Sequence, residues 1–278
     1  MNAFKQLLQQ KLRGGDATSH GHQRVPLGTW VMSASPLVVE AIGCAGFDWA
    51  VIDMEHSPVE IGGVAQMLQA LAATKAVPIV RVPWNDAVVI KRVLDAGAAT
   101  IVVPFVQDAE EAHRAAAALR YPPQGVRGLV GMSRANRFGT QRVGLQAANE
   151  SVALIVQMES PRALDALEAI AAVEGVDALF VGPADLAAGM GLGGDPSHPE
   201  VMKALIDAAA RAHAVGKPIG TLAGTPEMAA QVRAAGYDFV GLGTDLGLLV
   251  RAAQASLAAL RSGDGALVHS LSGGTHAY

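Results

Sequence analysis

The sequence is organised around one stretch that begins as a buried strand and ends in ionisable side chains, Phe47-Asp48-Trp49-Ala50-Val51-Ile52-Asp53-Met54-Glu55-His56-Ser57-Pro58. Residues 50–52 are a short apolar run, which is typical of a strand covered on both faces. Asp53, Glu55 and His56 follow it directly, and Pro58 ends the strand. Because α/β enzymes place their chemistry at the carboxyl ends of parallel strands, this stretch predicts a catalytic site. The alternative is that these groups merely solvate a strand end.

Strand and helix patterns alternate along the rest of the chain, which is typical of βα units around a parallel sheet. The predicted strands are residues 25–31, 49–53, 78–82, 100–103, 152–158, 178–181, 218–222 and 239–242. Ala-rich helical segments separate them, and a Gly-X-Asp sequence precedes three of the strands (46–48, 175–177 and 236–238). Eight such units predict an α/β fold of the (β/α)8 TIM barrel type in a single domain. A doubly wound sheet is the alternative, but its dinucleotide fingerprint is missing, since the glycines of 189–194 follow a short helix.

The ends of the chain fall outside this repeat. Residues 1–24 are predicted to form a short amphipathic helix and a linker, 25–261 the barrel, and 262–278 a flexible tail rich in Gly, Ser and His. The N-terminal helix does not have the pattern of a signal peptide. No apolar run approaches the roughly 18 residues of a membrane span.

The overall composition and charge of the chain exclude several classes of function. The 278 residues carry a formal net charge of −4, so no basic face is indicated and nucleic-acid binding is not expected. The one cysteine, Cys44, excludes an internal disulfide and a thiolate metal cluster. A reduced cysteine and the lack of a membrane segment together predict a cytoplasmic protein.

One connection between a predicted helix and the next strand, residues 121–149, is much longer than an ordinary loop and is rich in glycine. A segment of this length in a compact domain is usually functional. It carries Arg127, Arg134 and Arg137, which either lie on a solvated lid or bind a substrate carboxylate or hydroxyl groups.

Two carboxylates follow neighbouring predicted strands. Glu159 comes after the fifth strand and Asp185 after the sixth. Two carboxylates that face one cavity repel each other unless a cation lies between them, and oxygen ligands suit Mg²⁺ or Mn²⁺. The alternative is that each residue only complements the dipole of a following helix.

Three further residues lie at the same predicted mouth of the barrel. Arg81 ends the third strand, where a buried charge needs a partner. His56 is the histidine placed at a strand end, which makes it the natural acid or base. Trp30 ends the first strand. A divalent metal, an arginine and a histidine around one mouth indicate enolate chemistry on a 2-oxo acid.

The chain resembles the HpcH/HpaI family of metal-dependent (class II) pyruvate aldolases, and the likeness extends over roughly residues 27–260. The matching segments include Asp53-Met54-Glu55-His56-Ser57-Pro58, Val80-Arg81-Val82-Pro83, Ile90-Lys91-Arg92-Val93-Leu94-Asp95, Val156-Gln157-Met158-Glu159 and Val181-Gly182-Pro183-Ala184-Asp185-Leu186. Met54 departs from the pattern, since the family often has glycine there, and this affects the expected pocket shape. The segment 133–140 is closer to the 2-dehydro-3-deoxyglucarate aldolase branch than to the homoprotocatechuate-pathway branch.

The resemblance implies a role for each residue of the mouth. It implies Mg²⁺, Mn²⁺ or Co²⁺ held by Glu159 and Asp185, and an arginine, Arg81, that stabilises the enolate-like transition state. It further implies that His56 is the acid/base and that Asp95 raises its basicity. The substrate contacts that it implies are Gln157, the backbone of Ala184 and Asp185, and the ring of Trp30.

The resemblance also implies the reaction and the assembly. The expected enzyme is a lyase that reversibly cleaves a 4-hydroxy-2-oxo acid, of the 2-dehydro-3-deoxy sugar acid or 4-hydroxy-2-oxoheptanedioate type, to pyruvate and an aldehyde through a metal-bound pyruvate enolate. The expected assembly is a homo-hexamer, a dimer of trimers that exchanges the last helix. The alternatives are a CoA-thioester lyase of the citramalyl-CoA type and a non-catalytic barrel used for binding.

Overall fold

The computed structural model describes residues 1–13, 24–141 and 143–261, and within these residues eight parallel strands close into a barrel in the order β1 to β8. The strands are β1 (Leu27–Val31), β2 (Trp49–Asp53), β3 (Val77–Arg81), β4 (Thr100–Val103), β5 (Ala153–Met158), β6 (Ala178–Val181), β7 (Ile219–Ala223) and β8 (Phe239–Thr244). The barrel prediction is confirmed, and the strand bounds agree to within two residues. The predicted tail, 262–278, and most of the predicted linker lie outside the described residues.

Helices surround the barrel and connect its strands. They are α1 (Ala3–Arg13), α2 (Pro36–Cys44), α3 (Ile61–Leu71), α4 (Ala87–Asp95), α5 (Ala109–Leu119), α6 (Leu145–Glu150), α7 (Pro161–Asp165), α8 (Leu167–Ala171), α9 (Pro183–Gly189), α10 (Pro199–Ala214), α11 (Pro226–Ala234) and α12 (Asp245–Arg261). The described helices include none that is both long enough and apolar enough to cross a membrane.

The helix expected after the fifth strand is divided into α7 and α8. Ala166 ends the first and begins the second with φ −91° and ψ 9°. Arg211 of α10 donates a hydrogen bond to the carbonyl oxygen of Leu164 at 2.9 Å. A continuous helix would have used that carbonyl internally, so a tertiary contact takes the place of one helical hydrogen bond at the break.

The interior of the barrel is packed with large side chains. Alternate residues of each strand point inward, so that Trp49 and Val51 of β2 lie inside while Ala50 and Ile52 face the helices. Phe4 of α1 closes the amino end, with its ring edge-on to Phe239 at 5.1 Å between centroids. The barrel is therefore a filled core whose open end lies at the carboxyl ends of the strands.

The Gly-X-Asp repeat has a structural role at the amino end of the barrel. In each copy, the Asp carboxylate accepts a hydrogen bond from the backbone N–H of the preceding strand, at 2.9 Å: Asp48 from Leu27, Asp177 from Leu154 and Asp238 from Ile219. Each carboxylate also lies within 3.0 Å of a basic side chain, namely Arg24, Lys5 and His213 respectively. The repeat therefore ties the start of one strand to its neighbour in three places.

Candidate active site

The polar side chains at the carboxyl end of the barrel come from the inward-facing positions of its strands. Asp53 continues the inward series of Trp49 and Val51 in β2, and Arg81 continues that of Ile79 in β3. Asp53 and Arg81 are also register partners. Because inward residues near the carboxyl ends converge on one mouth, these side chains meet there.

Arg81 is held by two carboxylates. Its Nε and Nη2 donate to the two oxygens of Asp53 at 2.9 and 2.7 Å, and its Nη1 lies 2.8 Å from Glu55 Oε2. Asp53 is fully buried, and burial raises the pKa of Glu55 even though Arg81 opposes the shift. A guanidinium has five N–H donors, and the two hydrogen bonds to Asp53 engage two of them. Arg81 therefore has a fixed orientation with N–H groups left for an anionic ligand.

Glu159 and Asp185 lie together, as predicted for a pair on neighbouring strands. Glu159 follows β5 and is 3% exposed, whereas Asp185 lies in the first turn of α9 and is exposed. Burial raises the pKa of Glu159 to about 8, and the nearby carboxyl groups of Asp185 and Glu55 add to the shift. Gly182 leaves room for the Glu159 side chain beside the start of α9, because a Cβ at residue 182 would lie only 2.9 Å from Glu159 Cγ.

Gln157 lies beside this pair at the inward end of β5 and is 4% exposed. Its Oε1 is buried and has no hydrogen-bond partner in the structure. A buried amide oxygen without a partner is unfavourable unless a ligand, an ion or water supplies one. The carboxylates and this amide oxygen thus form a set of oxygen atoms at the mouth.

His56 is placed at the rim rather than in the core. Its side chain is 58% exposed, and its Nε2 lies 3.8 Å from Glu55 Oε2. Ala184 lies in the first turn of α9 and is exposed, next to Asp185. Both residues are exposed at the carboxyl end of the barrel, and their roles in catalysis and substrate binding stay predictions.

Trp30 is buried below the polar groups and does not line the open mouth. It is 3% exposed, and the Arg81 guanidinium lies 5.8 Å from its ring centroid. Its ring supports Arg81 from the barrel interior by a cation–π contact. The structure thus places Trp30 behind Arg81, away from the surface that a substrate would touch first.

Within one chain, Asp95 is not brought to His56, in contrast to the role that the resemblance implied. Helix α4 starts near the carboxyl end of β3 and runs back, so its last residue, Asp95, lies at the amino end of the barrel. There its Oδ1 accepts a hydrogen bond from Arg127 Nη2 at 2.7 Å. The reason is geometric: each barrel helix ends at the opposite edge from the mouth.

The long connection after α5 packs at that same amino end. It contains a short 3₁₀ helix, Arg134–Asn136, and α6. Arg134 Nη1 donates to the carbonyl oxygen of Ala96 at 3.3 Å, and Arg127 lies 4.5 Å from the ring centroid of Tyr121. In a single chain, Arg127 and Arg134 therefore stabilise the connection and do not face the mouth.

The sequence motifs indicate no individual role for Asp53 or Glu55, although both are ionisable residues at the end of a predicted strand. Their function as partners of Arg81 depends on the register of β2 against β3, which pairs Asp53 with Arg81. The sequence does hold one signal for this contact: Asp53 and Arg81 both fall at inward-facing positions near the ends of two adjacent strands. The backbone N–H of Phe105, which donates to Glu159 Oε1 at 3.3 Å, has no signal in the sequence.

Proteins of similar sequence are known for most of this chain. Residues 27–252 match the sequence profile of the family described as HpcH/HpaI aldolase/citrate lyase. A 2-dehydro-3,6-dideoxy-6-sulfogluconate aldolase of Pseudomonas putida is 47% identical over 86% of this chain and 94% of its own length. A 5-keto-4-deoxy-D-glucarate aldolase of Citrobacter koseri is 46% identical over 84% of this chain and 90% of its own length.

A solved structure extends the likeness to three dimensions. The HpcH/HpaI aldolase/citrate lyase family protein of Burkholderia cenocepacia J2315 has a TM-score of 0.85 and 42% identity, covering 94% of this chain and all of the other. The barrel, the matched segment and the relatives confirm the family expected from the sequence motifs. The chain therefore belongs to the HpcH/HpaI aldolase/citrate lyase family and is an aldolase.

Proposed function

We propose that this aldolase cleaves a 4-hydroxy-2-oxo acid to pyruvate and an aldehyde, with 2-dehydro-3-deoxy sugar acids as the preferred substrate class. The observation that carries the proposal is the pair of Glu159 and Asp185 beside a fixed Arg81 and an exposed His56. The two relatives described above are named as aldolases of sugar-acid derivatives, which supports the substrate class.

The oxygen atoms at the mouth fit a divalent cation. Burial raises the pKa of Glu159, and the nearby charge of Asp185 raises it further, because two carboxylates this close repel each other when both are ionised. Mg²⁺ is usually bound through one or two carboxylates, with waters and substrate oxygens completing its shell. Glu159 and Asp185 would hold Mg²⁺, Mn²⁺ or Co²⁺, which would supply Lewis acidity to the 2-oxo group of the substrate.

The side chains of the chain itself would then move the proton and stabilise charge. In the cleavage direction, His56 accepts the proton of the 4-hydroxyl group, the C3–C4 bond breaks, and the aldehyde leaves. The electron pair passes toward the 2-oxo oxygen, where the free N–H groups of Arg81 stabilise the negative charge. A proton is then delivered to C3, which becomes the methyl group of pyruvate.

Metal removal tests this proposal. We expect a chelator to abolish cleavage of 2-dehydro-3-deoxyglucarate and added Mg²⁺, Mn²⁺ or Co²⁺ to restore it. Glu159→Gln and Asp185→Asn should lose the restored activity. Glu110→Gln is a matched control, since Glu110 is an 86% exposed carboxylate on α5. Full activity in a metal-free preparation would contradict the proposal.

For the assembly, we propose a homo-hexamer built as a dimer of trimers in which α12 packs on a neighbouring subunit. Asp245 is the buried residue of α12, and the helix exposes apolar side chains along its length. These are Leu246, Leu249, Val250, Leu257 and Leu260, with exposed fractions of 44 to 69%. A contiguous apolar helix face supports burial in an interface. In such an assembly, Asp95 could reach a His56 of another subunit.

A further inference from the structure

Two exposed aromatic residues stack on each other at the carboxyl end of the barrel. Trp84 follows β3 and Phe105 follows β4, and their rings lie 6.2 Å apart with 29° between their planes. Trp84 is 56% exposed and Phe105 is 42% exposed. Asn85, the residue after Trp84, also donates a hydrogen bond from Nδ2 to the carbonyl oxygen of Glu111, at 2.9 Å, in the helix that follows Phe105. The two connections therefore form one unit at the rim.

The backbone of Phe105 has an unfavourable conformation. Its φ is +53°, in the left-handed region where a bulky residue is uncommon. The ring is not buried in the core, so ordinary packing does not account for phenylalanine at this position. An outlier of this kind persists when the surrounding structure determines it, and such outliers cluster at functional sites.

The unusual backbone directs a hydrogen-bond donor at the carboxylate pair. The N–H of Phe105 donates to Glu159 Oε1 at 3.3 Å, and the N–H of Val106 donates to the carbonyl oxygen of Gln157 at 3.0 Å. Two successive backbone N–H groups thus bind the polar end of β5. Because Glu159 is a long side chain, this donor restricts which way its carboxylate points.

We propose that Trp84 and Phe105 are positioning residues for Glu159, since their ring stack holds the Phe105 N–H in place against the Glu159 carboxylate. The inference rests on the proposed role of Glu159 as a metal ligand. One carboxylate oxygen, Oε1, accepts from the backbone donor, which leaves Oε2 available to a cation. Loss of the stack would let the backbone after β4 relax toward negative φ, which turns the N–H away from Glu159.

Calorimetric titration of the full chain with Co²⁺ as the probe tests the positioning role. We expect Trp84→Ala to weaken Co²⁺ binding about tenfold, or about 1.4 kcal/mol. Trp84→Phe keeps a ring for stacking and should restore binding to within about twofold of the unaltered chain. Phe105→Ala should match Trp84→Ala, and the double variant should be no weaker than either single variant, because both act through the same stack.

Phe138→Ala is the matched control, because Phe138 is also an exposed phenylalanine with positive φ, +57° and 63% exposed. It should bind Co²⁺ as the unaltered chain does. Unchanged Co²⁺ affinity in Trp84→Ala would overturn the inference. A raised KM for the 4-hydroxy-2-oxo acid at unchanged Co²⁺ affinity would overturn it as well, and would make the pair a substrate contact.

Glu159→Gln separates this result from failure of the proposed function. If Glu159→Gln binds Co²⁺ as tightly as the unaltered chain, Glu159 is not a ligand and the proposed function fails first. If Glu159→Gln loses binding while Trp84→Ala retains it, the metal site stands and the positioning role is rejected. Circular dichroism of each variant confirms that the barrel is folded.

Discussion

Among single residues, Glu159 carries the clearest pH dependence. Its pKa of about 8 arises first from burial, so at pH 7 the metal-free protein keeps the carboxyl group protonated. Because a cation binds the ionised form, we expect metal binding at pH 7 to release about one proton and to strengthen as the pH rises toward 8. Calorimetry in two buffers with different ionisation enthalpies counts the protons. Zero release by the unaltered chain would contradict this assignment.

Arg81 combines a catalytic and a structural role, and a double variant separates them. Arg81→Ala leaves the fully buried Asp53 without its partner, so we expect the free energy of unfolding to fall by about 3–5 kcal/mol. Cleavage should fall at least about a hundredfold because the oxyanion donor is lost. Urea denaturation and initial rates measure the two effects.

The control is Arg81→Ala combined with Asp53→Ala, which removes both charges. Part of the lost stability should return, whereas activity should not. Recovery of activity in the double variant would show that Arg81 only neutralises Asp53. Equal stability of the single variant and the unaltered chain would mean that water solvates Asp53 once the guanidinium is gone.

At the residue level, the sequence predicts the chemical groups better than their partners. Glu159, Asp185, Arg81 and His56 are all predicted at one mouth, because each lies at or just after the end of a predicted strand. Asp95 shows where this reasoning fails. To place a helical residue at one end of the barrel, the direction of its helix must also be considered. The contacts of Arg81 also needed the strand register, which a single sequence does not encode locally.

At the scale of elements, the Gly-X-Asp repeat forms the same hydrogen-bonded connection between neighbouring strands at three places in the barrel. Asp177 accepts from Leu154 N–H at 2.9 Å and pairs with Lys5 at 2.8 Å. We expect Asp177→Ala to lower the free energy of unfolding by about 1–3 kcal/mol, since a buried donor is left unpaired. Asp177→Asn should cost less because it keeps an acceptor oxygen. Thermal and urea denaturation measure both variants.

Asp165→Ala is the comparison for that experiment, because Asp165 is an exposed carboxylate at the end of α7. It should change stability little. If Asp177→Ala were as stable as Asp165→Ala, the repeat would mark turns without holding the strands together. Activity of the Asp177 variants should be retained at low temperature, since the repeat lies at the end of the barrel opposite the mouth.

Periodicity predicted the elements well, because apolar runs bounded by Gly and Pro are local signals. Elements whose bounds or positions depend on tertiary contacts were harder to predict from the sequence. The break between α7 and α8 coincides with a hydrogen bond from Arg211, more than forty residues away in the chain. The placement of residues 121–149 against α4 likewise depends on contacts such as Arg134 with Ala96, which no local pattern contains.

At the scale of the whole molecule, the proposed assembly would bring Asp95 of one subunit to His56 of another. The two residues lie at opposite ends of the barrel, so a catalytic pairing requires two subunits. We therefore expect His56→Ala and Asp95→Ala chains to be inactive alone and to recover activity when they are assembled together. If subunits mix at random, about one quarter of the sites should combine an intact His56 with an intact Asp95.

Mixing His56→Ala with Glu159→Gln chains is the matched control for this experiment. His56 and Glu159 meet at the mouth of a single chain, so no mixed assembly of these two variants contains an intact site, and activity should stay absent. Cleavage rates and exchange of the methyl protons of pyruvate provide two readouts. Recovery in the control would contradict the placement of His56 and Glu159 in one site of a single chain. No recovery in the His56 and Asp95 mixture, despite demonstrated mixed oligomers, would exclude a site that combines His56 and Asp95 of two subunits. In the second case, Asp95 would act only through Arg127, as it does within one chain at 2.7 Å.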